Sequence, residues 1–186
     1  YDQSGSGNDA TQTTAASQPK IVDAGVLVTE NGEAALFFNV SSLDTGKTIT
    51  IDSLYFVAKP SSGSFKIIIG EEAKGSPFFV FNFKGTFGAQ KIDGDLLATD
   101  DSSVLDAQGI FSIGLTNNKI YRNSDVLNIT NTINSAVTFL RMEIGARKST
   151  EFNFNETVSE IIIYENDQSA NRAAIEANIN SHYGIY

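Results

Sequence analysis

The sequence predicts an all-β sandwich closed by one C-terminal helix, on three observations. From Ile21 onward, short runs rich in aromatic and β-branched residues follow one another, and these are the residue types that pleated, half-buried surfaces favour. Clusters of Gly, Asn, Asp and Ser separate the runs, as in a sandwich or barrel rather than a succession of strands and helices. Only residues 167–183 change from a two-residue to a helical period.

The first twenty residues are mostly Ser, Gly, Asn, Thr, Gln and Ala without an apolar period. They read as a polar loop or extended arm, 1–20, ahead of a sandwich domain, 21–186. Leu36 and Phe38 share a face, as do Ile49 and Ile51. The odd step from Ile51 to Leu54 swaps faces and predicts a bulge, break or turn near Asp52 and Ser53. Residues 66–69 form a short apolar strand, and Phe79, Phe81 and Phe83 alternate with Val80, Asn82 and Lys84. Phe111, Ile113 and Leu115 alternate again, and Thr116, Asn117 and Asn118 turn the chain into 119–122 as a hairpin. Leu140, Met142 and Ile144 form a further core face, which leaves Phe139, Arg141 and Glu143 on the opposite one. Phe152 and Phe154, then 161–164, complete the strands. In the last segment Ile175 and Ile179 lie four apart on one helix face, with Asp167 or Ser169 as N-cap and Gly184 past the C-terminus.

Composition bounds the chemistry. With 186 residues the chain is one domain by default, large enough to bury a core without disulfide or metal. A hydrophobic fraction of 41% excludes a disordered chain. Cysteine is absent, which removes thiol nucleophiles, disulfides and cysteine metal sites. His182 is the one histidine, so no site is built on paired histidines, and its place in the last helical turn suits the helix dipole. The formal charge of −9 disfavours nucleic-acid partners, and no apolar run is long enough to insert in a membrane. The Gly-Ser-Gly of residues 5–7 has no Lys-Ser/Thr and no helix after it, so it is not a phosphate loop.

Two groups of residues are binding candidates. Asp93, Asp95, Asp100 and Asp101 offer hard oxygen ligands in one loop, as calcium would use, without the EF-hand spacing; the plainer reading is a solvated acidic loop. Phe139, Arg141 and Glu143 would place an aromatic and two charges on a non-core face, suited to sugar stacking and hydrogen bonding. That face could equally be covered by another strand or subunit.

Two stretches resemble laminin-G-like, concanavalin-A-like lectin/glucanase domains. One is the opening Tyr1-Asp2-Gln3-Ser4-Gly5-Ser6-Gly7-Asn8-Asp9-Ala10-Thr11-Gln12, with Gln18-Pro19-Lys20-Ile21. The other is Ile144-Gly145-Ala146-Arg147, then Phe154-Asn155-Glu156-Thr157 through Tyr164, and the terminal helix ending in Tyr183-Gly184. Residues 40–140 match only as generic strands. Asn155 stands where the family usually has glycine, a departure that a residue tolerant of the left-handed conformation would accommodate. The resemblance implies a concanavalin-A-like jelly roll with the helix packed on its outside, and one calcium at a sandwich edge. It also implies an earlier strand and a tryptophan ahead of Tyr1, so the chain is expected to be the C-terminal part of a longer polypeptide.

Sequences with this wording are common in structural proteins of tailed bacteriophages and in bacterial surface proteins. The expected role is a non-enzymatic virion decoration, head-fibre or tail-fibre domain, exposed on the particle. It would be held by other virion proteins or by copies of itself, and would contact host surface glycans. The alternative is a carbohydrate-binding or adhesion module of a secreted bacterial surface protein. A glycoside hydrolase on this fold needs paired carboxylates along one strand. Glu165-Asn166-Asp167 lacks the second Glu and Glu143-Ile144-Gly145 lacks the Asp, so no enzyme is expected.

Overall fold

The computed structural model describes residues 2–60, 66–71, 77–83, 86–90, 96–98, 107–129, 131–146 and 153–186, with the strands between 78 and 98 described by backbone alone. In chain order the strands are β1 (Val22–Asp23), β2 (Val26–Leu27), β3 (Thr29–Glu30), β4 (Glu33–Ala34), β5 (Leu36–Phe37), β6 (Leu43–Asp44), β7 (Ile49–Ile51), β8 (Ser53–Lys59) and β9 (Lys66–Glu71). They continue as β10 (Phe78–Phe83), β11 (Thr86–Gln90), β12 (Leu96–Ala98), β13 (Gly109–Gly114), β14 (Lys119–Arg122), β15 (Asp125–Val126), β16 (Val137–Phe139), β17 (Met142–Ile144) and β18 (Thr157–Tyr164), and helix α1 spans Arg172–Tyr183.

Two six-stranded sheets carry the fold, in the orders β12-β11-β10-β9-β17-β6 and β15-β14-β13-β8-β18-β5. The chain is thus a jelly-roll β-sandwich with one C-terminal helix, as the sequence predicts. Residues 2–20 lie against this sandwich: Thr11 exchanges backbone hydrogen bonds with Asp44, and Lys20 with Phe37. Between the sheets Phe56 stacks on Phe111 with ring centroids 5.2 Å apart, and Phe38 meets Phe154 edge-on at 6.4 Å. Ile51, Leu54 and Phe139 complete this core without exposure, each such side chain contributing about 1.5–3 kcal/mol through burial.

The face swap expected near Asp52 is a change of sheet. β7 pairs with β16 as a separate ribbon, and the next strand, β8, sits between β13 and β18 in the second sheet. Asp52 makes the step and is buried. Its carboxylate accepts hydrogen bonds from the Thr116 backbone N–H at 3.0 Å and the Thr116 hydroxyl at 2.9 Å.

Helix α1 docks on the outer face of the second sheet, where Ile179 and Tyr183 pack with Tyr55, Val57 and Ile110. It ends as predicted at Gly184 in the left-handed conformation, φ 59. Its start differs: Asn171 is the N-cap and makes no side-chain capping bond. Asp167 instead folds an Asx turn, accepting the Ser169 N–H at 2.9 Å. The docked face also carries Glu176, 1% exposed. This carboxylate accepts hydrogen bonds from the Ser112 and Ser124 hydroxyls and pairs with Arg172, whose guanidinium lies 3.9 Å from the centroid of the Tyr121 ring.

Asn155 does not adopt the left-handed conformation. That conformation falls on Val40 (φ 52), unusual for a β-branched residue, and the Asn155 carbonyl Oδ1 accepts the Val40 N–H at 3.0 Å. Gly145 needs its glycine on two counts: φ is +84, and a Cβ would come 2.2 Å from the Phe38 ring. Gly32 has φ +87 with open space around it. Gly32→Ala should therefore cost about 1–2 kcal/mol from backbone strain, and Gly145→Ala about 2–5 kcal/mol because ring displacement adds to it. Chemical denaturation of both variants checks this, and equal losses would disprove the role of the Phe38 contact.

Candidate functional site

The strand expected over 139–144 breaks at Leu140 and Arg141, so Phe139, Arg141 and Glu143 do not share a face. Phe139 ends β16 opposite Ile49 and is wholly buried in the core. Leu140, expected inside, is 70% exposed. Glu143 lies in β17, buried, in register with Asp44 and Gly70. Arg141 is exposed and engaged with Asp44, its Nε donating to the carboxylate at 2.8 Å. That hydrogen bond holds the Asp44 carboxyl below its ordinary pKa, against some desolvation. The physical reason is that the chain leaves the β7–β16 ribbon and joins the first sheet between Phe139 and Met142, which resets the alternation.

Asp93, Asp95, Asp100 and Asp101 lie outside the described residues. Among the described residues no group of three or more His, Asp or Glu side chains is placed to hold a metal ion. No described helix is long and apolar enough to cross a membrane. His182 sits in the last helical turn, edge-on to Tyr183 and 3.6 Å from Glu33.

A polar depression of about 360 Å³ opens at the C-terminal end of α1, lined by Glu30, Asn31, Lys59, Ala107, Gln108, Gly184 and Ile185. Its volume falls in the range of small-ligand sites, roughly 300–1,000 Å³. One wall is the β3–β4 hairpin. Its turn residues Asn31 and Gly32 both have positive φ, 52 and 87, the conformation that matches strand twist in a two-residue hairpin. From that turn the Asn31 amide Nδ2 donates to the Tyr183 carbonyl at 2.6 Å, fastening the hairpin to the helix end.

Lys59, the last residue of β8, reaches Glu30 at 3.3 Å. Gln108, just before β13, donates through Nε2 to the Ser159 hydroxyl at 3.3 Å. Its Oε1 is shut off from solvent and has no protein donor. The depression therefore presents amides, a neutralised ion pair and helix-end backbone. These are groups for hydrogen bonding to a ligand. Sequence reasoning missed it because its residues come from four separate segments, although the Asn31-Gly32 turn is a readable hairpin signal.

Beneath the helix three ionisations are displaced. Burial, helped by Glu160 and Glu33, pushes the Tyr183 phenol up to about 12. Burial chiefly, then Glu176, does the same for Tyr55. Desolvation raises the Glu160 carboxyl, opposed by His182.

No family model and no curated protein matches this chain. Among solved structures it is similar to CBM40, the carbohydrate-binding module of the Ruminococcus gnavus IT-sialidase. The TM-score is 0.51 at 13% identity, over 67% of this chain and 81% of that one. It is also similar to the native heptameric SAP-like pentraxin of Limulus polyphemus, with TM-score 0.51 at 11% identity, over 78% of this chain and 76% of that one. Both are jelly-roll sandwiches of the concanavalin-A-like type, and this chain shares their architecture.

Because the folded phenols of Tyr55 and Tyr183 titrate above the ordinary value of 10.0, the stability they contribute is complete below pH 10 and lost as pH rises through about 12. Stability measured across that window should fall less steeply in Tyr183→Phe than in the parent chain. Parallel curves would show that Tyr183 does not carry the dependence.

Proposed function

We propose that the chain is a non-catalytic carbohydrate-recognition module that binds glycans through the depression at the end of α1. The observation that carries this reading is the lining itself, with the amides of Asn31 and Gln108 beside the Lys59–Glu30 pair on a jelly-roll sandwich. Such groups form oriented hydrogen bonds with hydroxyls, as small-ligand sites require. The likeness to the sialidase module supports the same reading, since that protein is a carbohydrate-binding module by its description.

The assembly reading, a phage virion part held by neighbours or copies of itself, draws on one observation. Ile21, Val22, Val26 and Leu27 stand 50–69% exposed around the β1–β2 hairpin, apolar surface of the kind that interfaces use. Sedimentation velocity tests its self-assembling form: a part held by copies of itself sediments as an oligomer, and a monomer overturns that form.

Glycan-array screening followed by calorimetry should find saturable binding, and Gln108→Ala should weaken it about tenfold, the worth of roughly one hydrogen bond. Binding unchanged in Gln108→Ala would move the site elsewhere, and an array without any bound glycan would overturn carbohydrate recognition.

A further inference from the structure

The depression has a definite electrostatic character. Lys59 is the one cationic side chain among the described lining residues. Its Nζ lies 3.4 and 3.3 Å from the two Glu30 carboxylate oxygens, so its charge is already matched. The floor ends at Gly184 and Ile185, where α1 terminates. The C-terminal end of a helix carries about −0.5 of a charge, on carbonyls that have no partner in the next turn. The Tyr183 and Gly184 carbonyls are turned to Asn31 at this rim. Two more carboxylates stand nearby: Glu33, 3.6 Å from His182, and Glu160, which acts on Tyr183. Against these stands His182 in the last helical turn, and the chain as a whole carries −9.

Hydrogen-bonding capacity points the same way. The Glu30 carboxylate only accepts, and the Lys59 and Glu30 side chains both keep some exposure. A sugar hydroxyl can donate to Glu30 and still accept from Lys59. A ligand carboxylate is an acceptor only, so it has nothing to donate to Glu30 and faces it with like charge.

Resting on the carbohydrate-recognition reading, we infer that this depression selects uncharged, hydroxyl-rich sugars and discriminates against sugars that carry a carboxylate. Glu30 is the specificity-determining residue, because it neutralises Lys59 and repels a second anion.

The test uses the full chain and an array of matched oligosaccharide pairs that differ only in a carboxylate, glucosides against glucuronides and galactosides against galacturonides, together with sialylated glycans. Pairs that bind are then measured by calorimetry. The neutral member should bind at least about tenfold more tightly, with the ratio growing as salt is lowered. Glu30→Gln should shrink that ratio by about tenfold by releasing the Lys59 charge to an acidic ligand, and Lys59→Met should abolish the change in the double variant. Thermal melts confirm that each variant is folded. Preference for the carboxylate-bearing member, or a ratio that Glu30→Gln leaves unmoved, overturns the selectivity inference while carbohydrate recognition stands. Failure of every glycan, neutral or acidic, overturns the recognition reading and this inference with it.

Discussion

The geometry of the second sheet hangs on one buried residue, Asp52. Its backbone N–H donates to the Tyr164 carbonyl at 2.9 Å, and its own carbonyl accepts the Leu115 N–H at 2.9 Å. Its carboxylate holds Thr116, where β13 turns toward β14. One side chain and the two peptide units that flank it therefore fix the starts or ends of β8, β13 and β18, three adjacent inner strands. A buried carboxylate is costly to desolvate unless donors meet it, and here both donors come from the turn whose position it sets. With these ends aligned, Phe56 falls opposite Phe111 and Ile161, and Tyr55 opposite Ser112 and Ile162. The first row faces the core. The second is the floor on which the helix rests.

That floor explains why the helix is held tightly although its intrinsic signals are weak. Asn171 contributes no capping bond, and a helix of 12 residues is marginal alone. Burial of Ile179 and Tyr183 supplies the apolar share. Glu176 adds a polar one, since Ser112 of β13, Ser124 of the β14–β15 turn and Arg172 from the preceding helical turn all converge on its carboxylate. Donors that fill its acceptor positions in this way offset the cost of taking a carboxylate out of water. At the far end Asn31 binds the last helical carbonyls, so each end of α1 is tied to a different strand pair.

Much of this was legible in the sequence, and what was not has identifiable physical causes. Alternation gave the strands, and the odd step from Ile51 to Leu54 marked the change of sheet. The same tool misread 139–144, because a strand break with apolar residues on either side is indistinguishable from continued alternation. Nothing local reports that Leu140 faces solvent and Phe139 the core. The Ile175–Ile179 pair located the helix face, but a glutamate between them reads as solvated, and its burial depends on serines more than fifty residues away. The site was the least legible part. Asn31, Lys59, Gln108 and Gly184 acquire a common purpose only through tertiary contacts, and a hairpin turn signal says where the chain reverses without saying what its tip will touch.

This assembly from distant segments has a thermodynamic corollary. The lining residues are neighbours only when the hairpin, the end of β8, the approach to β13 and the helix terminus are all in place. An unfolded chain holds no trace of the site, so whatever occupies it adds its binding free energy to that of folding. A ligand at a hundred times its dissociation constant adds about 2.7 kcal/mol, a substantial fraction of what a domain of this size has to spare. Occupancy and integrity of the fold are then one equilibrium seen from two sides. The depression, once filled, serves as a gauge of the native state.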